Sequence, residues 1–505
     1  MNGKIQLQVP KMRNSRKTKP TKSTGDKNGE TGRANQNQGQ HNNVASSPYM
    51  VTATLILPVA CVAIFYVINQ PPPIKPSINS HSTYPLSAEV SGWQRASVEE
   101  EKKFNTNFCT IERRNASSLT SEEFEQVYRY RKPLIVHFNN GAADWTDPMK
   151  WTKASLRKFY SQWSILSGTS EDIVRRGGNG DTETSFDEYL EIMHRKKHND
   201  EPMYVFDRRF YNDSDLPRSI RVPLYFNIKD GVDSSIFFLG GSGSGVSFHK
   251  HADAWNGVIF GRKRWFLYPP QKTPPGGVWP SFSQLDWIKK VYPNLPPKDK
   301  PLECVQEEGE ILYLPESYYH GTVNIGDTMA IGIQKYNAAT KIEKLFYKLG
   351  KRREEDLEIL KELSDLLPES TEVLHKLAHQ YFTAGNFQQA IKTLKRAVQR
   401  DPFFVIAKLD LARYYDQDGN TEKADQLFQE ALEVHPDSFD GHIHYGEFLY
   451  EKSDYQKAAV YYKKLILMRP DKAFGYHWLA KCLEKIGDED GAKATRRKAQ
   501  NFSRE

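Results

Sequence analysis

The pattern of apolar and polar positions changes character several times along the chain. Residues 1–48 carry almost no large apolar side chains, whereas residues 50–68 (MVTATLILPVACVAIFYVI) carry no charge. A Pro- and Ser-rich stretch, 70–105, reads as an extended stalk. After it come short apolar runs of strand length between glycine and proline turns: 133–138, 234–239, 258–260, 265–268, 310–314 and 329–333. A helix is predicted over 121–130, and Trp145, Trp151, Trp163, Trp279 and Trp287 read as core packing of this β-rich region. Residues 341–368 are charged with a helical period and read as a rigid connector.

From about residue 369 a longer period appears. Pro368, Pro402, Pro436 and Pro470 recur every 34 residues, the length of a tetratricopeptide repeat, which is a pair of antiparallel helices. Ala378, Ala412, Gly446 and Ala480 take the same place in each unit, where two helices approach closely. Residues 369–502 are therefore predicted to form an α-helical solenoid. Such solenoids present a concave groove to a protein or peptide partner, here with His375, His379, Asp410, Arg413, His444 and Glu447 facing it.

Charge changes this picture at one end only. The net charge is +7, and residues 1–48 supply all of it, with nine Lys/Arg against Asp26 and Glu30. The rest is balanced, which removes the support for nucleic acid as a partner. The basic segment is predicted to be disordered. The uncharged run that follows is long enough to span a bilayer core, so 49–69 reads as a transmembrane signal anchor. By the positive-inside rule the basic tail stays cytosolic and everything after it is lumenal, a single-pass type II topology. Three Asn-x-Ser sequons, Asn115, Asn212 and Asn501, are candidate glycosylation sites in that setting.

The candidate chemistry lies in Phe248-His249-Lys250-His251-Ala252-Asp253 together with His320. On an extended strand His249, His251 and Asp253 project to one side. With His320 from another strand, two metal triads can be drawn, His249/His251/His320 and His251/Asp253/His320. The second is a two-histidine-one-carboxylate facial site of the kind that holds Fe(II). The first offers three neutral nitrogens and suits Zn2+ as well. Alternation also turns Lys263 away from Arg262 and Arg264.

These segments, with Gly261-Arg262-Lys263 and Leu314-Pro315-Glu316-Ser317-Tyr318-Tyr319-His320, resemble the JmjC family of Fe(II)- and 2-oxoglutarate-dependent oxygenases over roughly 106–340. The resemblance implies a double-stranded β-helix, a cupin-like jelly roll, with the metal at its mouth. It places His249 as first ligand and His251 where the family has a carboxylate. It gives Lys263 and Asn256 to the 2-oxoglutarate site, while Val246 replaces a frequent threonine there. Cys109-Thr110-Ile111-Glu112-Arg113-Arg114 and Pro301-Leu302-Glu303-Cys304 are similar to an endoplasmic-reticulum branch of the family. That similarity implies residence in the endoplasmic-reticulum membrane and a Cys109–Cys304 disulfide, two unpaired thiols being the other reading. Two functions follow as expectations. One is an anchored lumenal oxygenase that hydroxylates a protein recruited by the repeats; the other is an inactive scaffold that works by protein–protein contacts.

Overall fold

The structure, a computed structural model, describes residues 85–502 except 176, 177, 179, 196–200, 227–232, 279–281, 336, 337 and 501. The basic tail, the apolar run at 50–68, Trp279 and Asn501 lie outside the described residues. Among the described residues no helix is long and apolar enough to cross a membrane.

Eleven strands form one hydrogen-bonded network: β1 (Glu112–Asn115), β2 (Leu134–His137), β3 (Ser164–Gly168), β4 (Thr182–Ser185), β5 (Tyr204–Asp207), β6 (Asp233–Gly240), β7 (Gly245–His249), β8 (Ala254–Tyr268), β9 (Leu302–Gln306), β10 (Ile311–Leu314) and β11 (Tyr319–Lys335). The two longest strands build both layers. The first half of β8 pairs with β10 and with the second half of β11, and its second half pairs with β9 and with the first half of β11. The second half of β11 also pairs with β6, and its first half with β7.

The runs 258–260 and 265–268 are therefore one strand, not two. Gly261 stands between them with φ +79°, and a Cβ there would lie 2.1 Å from the Asp327 carbonyl oxygen. Glycine thus bends the strand without ending it, and Gly326 at φ +74° does the same for β11. The helix predicted over 121–130 is a single α-turn, Ser121–Glu123, continued as a π-turn over Phe124–Tyr128. Trp145, Trp151 and Trp287 are buried as expected, but Trp163 is partly exposed.

The predicted stalk needs correction, because from Leu86 the chain already belongs to the folded domain. Leu86, Trp93 and Phe104 are buried, and the Trp93 indole donates to the Trp151 carbonyl at 2.9 Å. Helix Val98–Phe104 covers the outer face of β8, where Arg262 pairs with Glu101 and Arg264 donates to the Phe104 carbonyl. Three apolar residues within a polar segment, with these polar contacts, anchor it.

Behind β11 come two helices, Lys341–Lys348 and Asp356–Leu366, rather than one rod. Ile359, Leu360 and Leu363 pack on Val373 and Leu377 of the first repeat. The repeats are four helix pairs: Thr371–Thr383 with Phe387–Arg400, Val405–Gln417 with Thr421–Val434, Phe439–Glu451 with Tyr455–Met468, and Ala473–Ile486 with Glu489–Gln500. A Cβ at Gly446 would come within 3.0 Å of the Tyr462 ring, which is why that position is small.

The repeats are docked on the barrel. One apolar core runs from Phe248, Phe266 and Trp287 through Phe404 and into the repeats. Equivalent positions in successive repeats meet two loops and a short helix of the barrel domain. Asp401 accepts from the Gly276 N–H at 2.8 Å, His435 stacks on Phe282 with centroids 4.3 Å apart, and Arg469 lies 3.5 Å from Asp172. Burial lifts the Asp401 carboxyl to about 7.

Candidate metal centre

β7 ends at His249, and the chain turns through Lys250–Asp253 before β8 begins. Alternation therefore carries no further than His249. His251 still reaches the pocket, but the turn swings Asp253 out of it. Asp253 is buried against Arg129, 3.1 Å from its guanidinium, and burial raises its carboxyl to about 6 in spite of that partner. The triad with Asp253 is thus not what the structure assembles.

His249, His251 and His320 come together instead, with one nitrogen from each within 4.8 Å of the others. His249 and His320 face each other across the β7–β11 pairing. Among the described residues no other group of three His, Cys, Asp or Glu is gathered in this way. Each ring is oriented by the backbone: Nδ1 of His249 donates to the Ser247 carbonyl at 2.9 Å, that of His251 to Ala252 at 2.6 Å, and that of His320 to Tyr318 at 3.0 Å. A carbonyl can only accept, so the proton sits on Nδ1 and the Nε2 lone pair is left for the pocket. Burial holds all three rings neutral; His251, beside His249, is pushed down to about 3. Three converging neutral donors of this kind could hold a metal ion.

The same cavity, ≈ 40 Å³, continues inward to Lys263 between walls of Phe206, Phe238 and Trp265. Lys263 is almost fully buried and its ammonium bonds the Tyr204 hydroxyl at 2.8 Å, with no carboxylate partner. Burial pushes it down to about 7. Asn256 lines the cavity with a buried Oδ1 that has no hydrogen-bond partner. Val246 offers the cavity only methyl groups, but Thr322 lines it with a hydroxyl. A buried ammonium, a phenol, an unpaired amide oxygen and a hydroxyl fit a small ligand with a carboxylate at its far end. Outward, a second cavity of ≈ 290 Å³ is lined by Ile173, Val174, Phe206, Arg208 and Gln334 and reaches His249 and His251.

Sequence reasoning missed Tyr204 and Thr322. Tyr204 comes from β5, 59 positions from Lys263, and no local pattern links the two. Cys109 and Cys304 form a disulfide that ties the segment before β1 to β9. Asn212 is exposed; Asn115 is half-buried, and its amide donates to Asn139. In the repeats His375 is bonded to Asp410 at 2.7 Å.

Comparison with known proteins gives this geometry a class. Residues 120–337 match the Cupin-like domain family, and residues 381–447 match the Tetratricopeptide repeat family. The chain belongs to the cupin-like JmjC family and carries tetratricopeptide repeats behind its JmjC domain. It is 33% identical to JmjC domain-containing protein 8 of Rattus norvegicus over 263 residues, 49% of this chain and 90% of that protein. The Homo sapiens protein of the same name is 33% identical, over 48% of this chain and 88% of its own length. A more distant relative, the Bifunctional arginine demethylase and lysyl-hydroxylase psr-1 of Caenorhabditis elegans, is 26% identical over 56% of this chain and 75% of that protein.

Proposed function

We propose that the chain is a membrane-anchored, lumenal JmjC-type oxygenase that uses Fe(II) and 2-oxoglutarate to hydroxylate a protein recruited through its repeats. The observation that carries this reading is Lys263, a buried ammonium without a carboxylate, in the same cavity as three histidines that present Nε2. A scaffold has no use for an unpaired buried cation, whereas a dicarboxylate co-substrate neutralises it.

His249, His251 and His320 would hold the metal. Iron with 2-oxoglutarate and O2 supplies the oxidising chemistry when bound. The chain itself orients and shields. The three Nδ1–carbonyl bonds lock the rings, so no tautomer change is needed for binding. Lys263 and Tyr204 receive the distal carboxylate, and contact with that anion keeps the proton on Lys263 at neutral pH. Phe206, Phe238 and Trp265 exclude water around it. The outer cavity is of the right size for one substrate side chain. The anchor and lumenal placement rest on the uncharged run at 50–68 behind a basic tail, and on the disulfide, which needs an oxidising compartment to persist.

The test is anaerobic metal and 2-oxoglutarate binding by the purified protein, followed by succinate release with candidate lumenal proteins. Stoichiometric iron with co-substrate affinity lost in Lys263→Met supports the oxygenase. Asp253 is committed to Arg129, which leaves the metal without a carboxylate and favours a second reading, a scaffold with Zn2+ or no metal. No co-substrate binding in the unaltered protein, and binding gained in His251→Asp, would establish that second reading.

A further inference from the structure

His249 and His320 line the cavity, and the residues beside the ligands point to the outer face of the barrel. Lys250 lies between His249 and His251, Tyr319 immediately precedes His320, and both meet a single carboxylate. Lys250 Nζ is 2.6 Å from Glu372 Oε2 and 3.1 Å from the Tyr319 hydroxyl, which itself donates to Glu372 Oε2 at 2.7 Å. Glu372 is the second residue of the first repeat helix. Its N–H donates to Thr273 of the barrel at 3.2 Å, and Phe346 covers the Lys250 ammonium, 3.5 Å from the ring centroid. Tyr319 and Glu372 are buried, and the Lys250 side chain is nearly so.

Backbone pairing fixes only part of this arrangement: His249 and His320 are register partners, and the Ser317 N–H donates to the His251 carbonyl at 2.9 Å. β7 stops at His249, and its ladder with β11 shifts register between His320 and Thr322. His251 lies beyond the strand altogether. We infer that Glu372 is a positioning residue for the metal centre: gripping Lys250 and Tyr319 from behind, it acts with these backbone contacts to set the separation of the two segments that carry the three histidines. The repeats are then part of what shapes the centre. Other seam contacts, such as Asp401 with Gly276, His435 with Phe282 and Lys290 with Asp437, hold the solenoid on the barrel without touching a ligand-bearing segment. The inference rests on the reading of the triad as a metal site.

The experiment is titration of the full chain with Co(II), recording affinity and the visible ligand-field bands, which report ligand arrangement directly. The unaltered protein is expected to bind one ion and His320→Ala to lose it. Glu372→Gln is expected to bind about tenfold more weakly with shifted bands, the scale seen when residues that orient metal ligands are removed. Tyr319→Phe should shift in the same direction by less, and Lys290→Ala should match the unaltered protein. Unchanged affinity and bands in both Glu372→Gln and Tyr319→Phe, with binding still lost in His320→Ala, would overturn the inference and leave the metal site standing. Binding that survives His320→Ala would remove the metal reading and the inference together. Should Glu372→Gln fail to fold, Tyr319→Phe decides, since it keeps the ring and the Lys250–Glu372 pair.

Discussion

The cavity around Lys263 and the seam around Lys250 each bury a lysine, and they treat it in opposite ways. In the seam the ammonium has a carboxylate at 2.6 Å; burial works against ionisation of that carboxyl, but Lys250 and Lys376 overcome it and hold Glu372 at about 2. In the cavity the ammonium has a phenol and the faces of Phe238 and Trp265 but no carboxylate, and burial pushes it down to about 7. A compensated buried charge fixes two parts of a chain together. An uncompensated one costs stability and is kept where a ligand completes it. The contrast separates architecture from site without appeal to which residue types are present.

Removing a partner from each region tests the contrast. Glu372→Ala leaves Lys250 buried without its anion and should cost about 3–5 kcal/mol, read from the urea midpoint of the metal-free protein. Lys263→Met should do the reverse, stabilising the ligand-free protein by about 1–3 kcal/mol while abolishing 2-oxoglutarate binding. If it destabilises as Glu372→Ala does, the two regions do not differ in kind. The same lysine sets a pH dependence. Folded Lys263 loses its proton above about 7, whereas the unfolded chain keeps it to roughly 10.4. The unfolded state binds more protons over that interval, so this group makes stability rise with pH between them. Tm measured from pH 7 to 10 should show that rise, and it should be missing in Lys263→Met. The smallest effect belongs to Lys290→Ala at the open end of the seam, where Asp437 is largely exposed, and should be about 0–1 kcal/mol by the same denaturation.

The sequence carries the periodic features and not the ones that depend on meeting. The repeats were legible because Pro368, Pro402, Pro436 and Pro470 mark a fixed period. The docking edge was not, because the residues that perform it sit at one repeat position yet share no chemistry: Asp401, His435 and Arg469. Alternation located His249 and failed at Asp253, since a strand pattern says nothing about where the strand stops. β8 was divided at Gly261 because a glycine that ends a strand and one that bends it look alike in sequence. Tyr204 and Glu372 were invisible for a simpler reason. Each reaches its lysine only through tertiary pairing, across 59 and 122 positions.

The disulfide has a topological consequence. Cys109 and Cys304 are 195 residues apart, and the ring they close contains His249, His251 and Lys263 but excludes His320 and Glu372. A protease cut within that ring leaves the two fragments covalently joined, so a nicked chain runs at full mass until it is reduced. A cut between Cys304 and His320 is different: it separates the two halves of the histidine triad into fragments that no covalent link holds together.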